Sequence, residues 1–368
     1  MGSKLFSEIK IGDLNLQNRI VVPPMCQYSA SGGLANEWHL SHYGNLAFSG
    51  AGLLIFEATA VTPEGRISHA DLGLWDNETA MALRRVVDFI RQHSQISLAL
   101  QISHAGRKAS TNLPWKGGGY VAPDQPQGWQ TYAPSAIAQS IGGTLPKELS
   151  LLEIEKIIGD FAHTAKRAAE IGFDAIEIHA AHGYLLHQFL SPITNHRSDN
   201  YGGSFDNRIR LVTQVLEAIK TAVSSEIAVG IRISATDWIE GGWDLPQSIA
   251  LSQELEKRGT AYIHVSTGGL DSNLQQLPPL GAGYQLPFAK AIREEINVPV
   301  IGVGLITNPH DAENAIAEGE ADLIAIGRGI LFDPRWGWHA AAALGDKAKA
   351  PAQYMRCAPH GFKNLFER

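Results

Sequence analysis

Short apolar runs rich in branched side chains recur along the chain at 20–25, 52–61, 97–103, 175–179, 227–234, 262–267, 298–304 and 322–327. Helical stretches separate them, and the runs are continuous rather than alternating, the pattern of parallel strands buried on both faces. Eight strand–helix repeats within 368 residues predict one α/β unit, a closed (β/α)8 TIM barrel.

One helix reads residue by residue. Ser150 with Glu153 forms a capping box, Ile154, Ile157, Ile158 and Phe161 fall on one face, and Gly172 supplies the stop. Ahead of the first strand, two short apolar runs flank Gly12 and Asp13, an N-terminal hairpin expected to plug the bottom of the barrel. The rhythm breaks at 105–149, rich in Gly, Pro and Trp, which follows the third strand and is expected to cap the mouth. The chain is thus read as a single domain over 1–368 with a C-terminal tail at 345–368.

Composition narrows the function. Hydrophobic residues make up 44% and charged residues 18%, ample for a packed core. The net charge is −7 and the basic residues are scattered, so no footprint for nucleic acid is visible and a small-molecule partner is expected. No apolar run approaches the ~18 residues of a membrane span. Charges occupy the start MGSKLFSEIKIGDL where a signal peptide needs an apolar stretch, so a cytoplasmic setting is expected. Cys26 and Cys357 are too few for a disulfide framework, a four-Cys metal site or an iron–sulfur site.

Barrel active sites lie at the C-terminal strand ends. Strand 1 delivers Pro23, Pro24, Met25, Cys26, Gln27 and Tyr28; strand 2 delivers Glu57 and Ala58; strand 3 delivers Gln101. His179, His182, Gly183 and Tyr184 follow from strand 4, and Arg232 from strand 5. Strands 7 and 8 end in Gly302-Val303-Gly304 and Gly327-Arg328-Gly329, where barrels bind phosphate, although glycine there also serves tight turns alone. Gln101 offers an amide and Arg232 a fixed charge, as an isoalloxazine ring requires; a salt bridge inside the barrel is the other reading of Arg232. On an extended strand His179, His182 and Tyr184 cannot share a face, so His182 and Tyr184 must sit on a loop that Gly183 lets turn inward. Arg107 and Lys108 are either solvated loop charges or contacts to a cofactor phosphate.

The segments NRIVVPPMCQYSA at 18–30, IHAAHGYLLHQFLSPITNHRSDNYGGSFDNRIR at 178–210 and VGLITNP at 303–309 closely resemble Old Yellow Enzyme ene-reductases. Cys26 with Tyr28 and the late QYMR at 353–356 resemble the thermophilic-like, xenobiotic-reductase subgroup. The resemblance implies FMN, with NADPH or NADH as reductant and activated alkenes such as enones or maleimides, or nitro compounds, as oxidants. It implies flavin contacts from Pro23, Pro24, Met25, Cys26, Ala58, Gln101, His179, Arg232, Val303, Gly304, Gly327 and Arg328. His179 and His182 would grip the substrate carbonyl while hydride passes from flavin N5 to the β-carbon. Tyr184 would protonate the α-carbon. Cys26 would tune the flavin, where the residue type alone equally suits a small buried hydrophobe. Tyr28 would be a substrate hydrogen-bond donor or an aromatic wall. Arg356 would reach a neighbouring subunit's site in a homodimer or homotetramer, and a solvated tail arginine is the other reading.

Two rivals belong to other classes. A metal-dependent barrel hydrolase would use His179, His182 and His187, but wants more strand-end carboxylates than Glu57. A flavin-binding redox sensor would have no use for a placed acid at Tyr184.

Overall fold

The computed structural model describes residues 2–140, 143–271 and 278–367. Its eight barrel strands are β1 (Ile20–Val22), β2 (Leu53–Ala60), β3 (Ser97–Ser103), β4 (Ala175–Ala180), β5 (Ala228–Ser234), β6 (Ile263–Ser266), β7 (Val300–Val303) and β8 (Leu323–Ala325). They close in sequence order, all parallel, with β8 returning to β1 through Ile324 against Ile20. The connecting helices are α1 (Glu37–Leu46), α2 (Asn77–His93), α3 (Leu151–Glu170), α4 (Leu185–Leu190), α5 (Phe205–Ala222), α6 (Leu245–Lys257), α7 (Leu286–Arg293) and α8 (Pro309–Ala317). Two more follow β8, α9 (Arg328–Phe332) and α10 (Trp336–Leu344). The fold is the expected TIM barrel. The first strand is shorter than the apolar run because Pro23 and Pro24 have no N–H to continue the ladder.

Continuous apolar runs conceal a period of two. Even-numbered strand residues such as Leu54, Phe56, Leu98, Leu100, Ile176 and Ile178 pack outward under the helices. Odd-numbered ones, Leu53, Ile55, Ala99, Ala175, Ile301 and Leu323, together with the even-numbered Ala228 of β5, fill the barrel interior. Each fully buried Leu, Ile or Phe stabilises the fold by about 1.5–3 kcal/mol. Smaller side chains in the lower interior leave room for the hairpin of Ile9–Ile11 and Leu14–Leu16, whose Ile11 and Leu16 join the same cluster. Gly12 makes its turn at φ +55°, and a Cβ there would stand 3.1 Å from that of Ala261.

The helix-start signals operate as read. Ser150 Oγ accepts from the Glu153 N–H at 3.3 Å while the Glu153 carboxylate accepts from the Ser150 N–H at 2.8 Å. Ile154, Ile157 and Phe161 are buried, and Gly172 takes the left-handed φ of +105°.

The insertion after β3, of which 141–142 lie outside the described residues, holds short 3-10 turns and a parallel pair, Tyr132–Ala133 with Lys147–Glu148. The buried guanidinium of Arg107 pins it over the strand ends. Its Nη1 donates to Ala138 O at 3.0 Å and its Nη2 to Leu270 O, beyond β6, at 3.1 Å. The C-terminal tail packs elsewhere, its Leu365 and Phe366 on Trp338 with Phe48, in the connection entering β2 from below. Among the described residues no helix is long and apolar enough to cross a membrane.

Candidate active site

At the C-terminal strand ends the interior positions change from apolar to polar without changing parity. Gln101 of β3 stands beside Glu177 of β4, His179 of β4 beside Arg232 of β5, and Arg232 beside His264 of β6. All five are buried. A barrel interior closed below by a hairpin and lined above by donors and charges is a ligand mouth rather than a core.

The turn after β4 gathers three rings. His182 and Gly183 take left-handed φ values of +57° and +74°, which reverses the chain and returns it inward before Tyr184 caps α4. A Cβ on residue 183 would lie 2.3 Å from Gly269 O, so only glycine fits. The His182 ring then lies 5.2 Å from that of His179 at 87°, and the Tyr184 ring 4.9 Å from His179 at 79°. Neighbouring groups fix the turn. The Gly183 N–H donates to His187 Nδ1 at 2.9 Å, and His187 Nε2 stands 2.8 Å from Asp237 Oδ1. Lys108 Nζ donates to His182 O and Gly269 O, both at 2.8 Å, and lies 5.1 Å from the Tyr184 ring centroid. Arg107 and Lys108 are therefore struts of the site, neither solvated nor free for a phosphate. His187, which a metal reading would need, is likewise occupied.

Hydrogen bonding sets the imidazole protons. The Ala181 N–H donates to His179 Nδ1 at 3.3 Å, which leaves the ring proton on Nε2. His182 Nε2 lies 2.8 Å from Ser266 Oγ. Ser266 Oγ also donates to Gln285 Oε1 at 3.2 Å, an oxygen that accepts from Thr267 Oγ1 at 2.8 Å as well. Burial, then the charge of Arg232, holds both histidines well below the usual imidazole range, so both are neutral donors. Burial, with Cys26, Tyr28 and Asp71 adding to it, pushes the Tyr184 phenol well up, so it keeps its proton.

The loop after β1 forms the opposite wall. A register shift in β2 between Phe56 and Thr59 turns Glu57 toward it, and Glu57 Oε2 accepts from the Gln27 N–H at 2.9 Å while Tyr43 OH donates to Oε1 at 2.9 Å. Burial pushes the Glu57 carboxyl up to about 8. Burial, followed by Asp71 and Glu57, also raises the Cys26 thiol well above its ordinary range, and the thiol takes a backbone hydrogen bond at Ala58. Cys26 is consequently a neutral thiol at neutral pH. Tyr28 sits at φ +49° with its ring edge-on to Trp115 of the cap, centroids 6.1 Å apart.

The ends of β7 and β8 complete the rim. The side-chain position of Gly327 faces Pro23 Cγ at 3.7 Å and Met25 Sδ at 3.9 Å, and Gly304 takes φ +148°, where a Cβ would press on Gln285 N at 3.2 Å. Val303 O accepts from Gln285 Nε2 at 3.2 Å. Arg328 opens α9 exposed to solvent, and Arg356 lies on the exposed tail; the chain's own fold does not bring Arg356 to the mouth.

Three site residues were not singled out from the sequence: Glu177, His264 and Ser266. Their signal is parity, since Glu177 precedes His179 by two, and His264 and Ser266 alternate with Ile263 and Val265. The buried polar set suits a flavin. Arg232 Nε is buried without a hydrogen-bond partner, a donor waiting for an acceptor in the mouth.

Known proteins share sequence and fold with this chain. The family described as NADH:flavin oxidoreductase / NADH oxidase family matches residues 4–347. An NADPH dehydrogenase of Listeria welshimeri is 44% identical over 356 residues, covering 96% of this chain and 99% of its own. The solved structure of morphinone reductase superposes with a TM-score of 0.76 at 28% identity, covering 95% of this chain and 91% of its own. A 2-naphthoyl-CoA reductase shares the fold with a TM-score of 0.83 at 24% identity, and this chain spans 52% of its length.

Proposed function

Because the chain belongs to the NADH:flavin oxidoreductase / NADH oxidase family, we propose that this member carries FMN and passes hydride from NADPH or NADH to activated C=C bonds of enones, maleimides or related nitro compounds. The observation that carries the reading is the convergence of two neutral imidazoles and one protonated phenol, His179, His182 and Tyr184, above Gln101 and Arg232.

Bound FMN supplies the hydride chemistry. Arg232 would place positive charge by the pyrimidine edge, Gln101 would take a hydrogen bond there, and Gly304 and Gly327 leave side-chain-free backbone for the phosphate end. The N–H groups of the His179 and His182 imidazoles would grip a substrate carbonyl oxygen and stabilise the charge that gathers on it; one such donor is worth about 3–4 kcal/mol at comparable sites. Tyr184 would deliver its proton to the α-carbon, which calls for a strongly basic acceptor and a donor that stays protonated. A redox sensor leaves this acid without a task. The free thiols of Cys26 and Cys357 accord with a cytoplasmic setting, and the exposed tail bearing Arg356 with a homo-oligomer that completes a neighbour's mouth.

The test is steady-state oxidation of NADPH and of NADH with and without cyclohexenone or N-ethylmaleimide. Oxidation that depends on the alkene, with the saturated product recovered, is expected. Oxidation indifferent to the alkene would contradict ene reduction.

A further inference from the structure

Beneath the mouth lies a buried acid that the reading above does not use. Glu177 points into the barrel from β4 and is fully buried. Its Oε1 accepts from Gln101 Nε2 at 2.8 Å, and its Oε2 lies 2.9 Å from His264 Nδ1. Burial alone would raise its pKa, but His264, Arg232 and Gln101 together outweigh burial and hold the carboxyl below its ordinary range. It is therefore a carboxylate at neutral pH.

We propose that Glu177 is the positioning residue of the flavin's pyrimidine edge, fixing which end of the Gln101 amide faces the ring and offsetting the charge of Arg232. The inference rests on the flavin reading. A carboxylate only accepts hydrogen bonds, so the Gln101 group turned toward it must be the NH2. The amide is planar, so its carbonyl oxygen diverges from Glu177 and is left to accept. A pyrimidine edge with an N–H between two carbonyls needs such an acceptor at that point and a cation for the neighbouring oxygen. A free glutamine could present either end; one tied to an anion presents one. The same anion also tempers Arg232, which otherwise would favour the reduced ring more strongly.

Replacing the charge without changing the shape, Glu177→Gln, therefore has two expected effects. The midpoint potential of bound FMN rises, because negative charge beside Arg232 is gone. FMN binding to the stripped apoprotein weakens about tenfold, because the Gln101 amide is no longer held to one orientation. A folded Glu177→Gln protein with unmoved potential and unchanged FMN affinity overturns the assignment. Glu177→Asp provides the second arm, keeping the charge but shortening its reach: a near-normal potential with weakened FMN binding is expected, and unchanged affinity again overturns it. Wild-type protein tested alongside separates the two claims, since wild-type apoprotein that takes up no FMN defeats the flavin reading itself.

Discussion

The backbone N–H of Gly183 donates to Nδ1 of His187 at 2.9 Å, and through that bond α4 holds the turn that aims His182 and Tyr184 at His179. His187 stands in turn against Asp237 in the loop after β5, whose Oδ2 accepts from Ser191 Oγ at 2.6 Å. The three converging rings thus rest on a rigid buried support, the arrangement that a precise site requires.

Tyr184→Phe removes one hydroxyl and leaves the ring packed on His179. The account predicts that NADPH reduces the flavin at close to the wild-type rate while reoxidation by enone slows by about 10²-fold or more. Anaerobic stopped-flow measurement of the two half-reactions decides it. Equal reoxidation rates would remove Tyr184 from the chemistry.

Cys26 is a neutral thiol against the wall formed by Ala58 and Glu57. Cys26→Ala should leave FMN bound and shift its midpoint potential and the ranking of substrates. Redox titration against reference dyes checks this; an unchanged potential would reduce Cys26 to a space-filling residue.

The polar mouth was legible in the sequence only in part, for physical reasons. Strand ends containing Gln101, His179 and Arg232 advertise themselves because charged or amide side chains interrupt apolar runs. The turn at His182-Gly183 could be argued from extended-strand geometry, which cannot place His179, His182 and Tyr184 on one face. Glu177 and His264 were missed because their partners, Gln101 and each other, are 76 and 87 residues away in the chain. Arg107 and Lys108 read as loop charges because nothing local shows the carbonyls of Ala138, Leu270, His182 and Gly269 that surround them. The barrel itself was plain, since eight repeats of one pattern leave few topologies.

Arg107 offers a stability test of the cap. Arg107→Leu leaves the carbonyl of Ala138 without this donor, leaves Leu270 O with Gln139 Nε2 alone at 3.2 Å, and removes one charge from beside Asp271. A loss of about 1–3 kcal/mol is expected, since a buried acceptor deprived of its donor keeps its desolvation cost and loses the hydrogen bond. Thermal and urea unfolding of the variant measure it, and an unchanged midpoint would show that the cap does not depend on this anchor.

Glu57 predicts a pH dependence. Its folded pKa of about 8 lies above the ordinary 4.5, so the folded protein favours the protonated acid. The stability from this group is full below about pH 4.5, declines as pH rises, and is lost above about pH 8. Glu57→Gln stays neutral throughout, so the difference in unfolding free energy should move in the variant's favour between pH 5 and 8, by on the order of a few kcal/mol. Parallel stability curves for the two proteins would show that burial does not perturb this acid.

The most direct test of the central claim is an anaerobic visible spectrum of the purified protein, followed by addition of NADPH and then cyclohexenone. The account predicts flavin bands that bleach with NADPH and return with the enone. A protein that remains colourless after soaking with FMN, or a reduced flavin that the enone does not reoxidise, would contradict it.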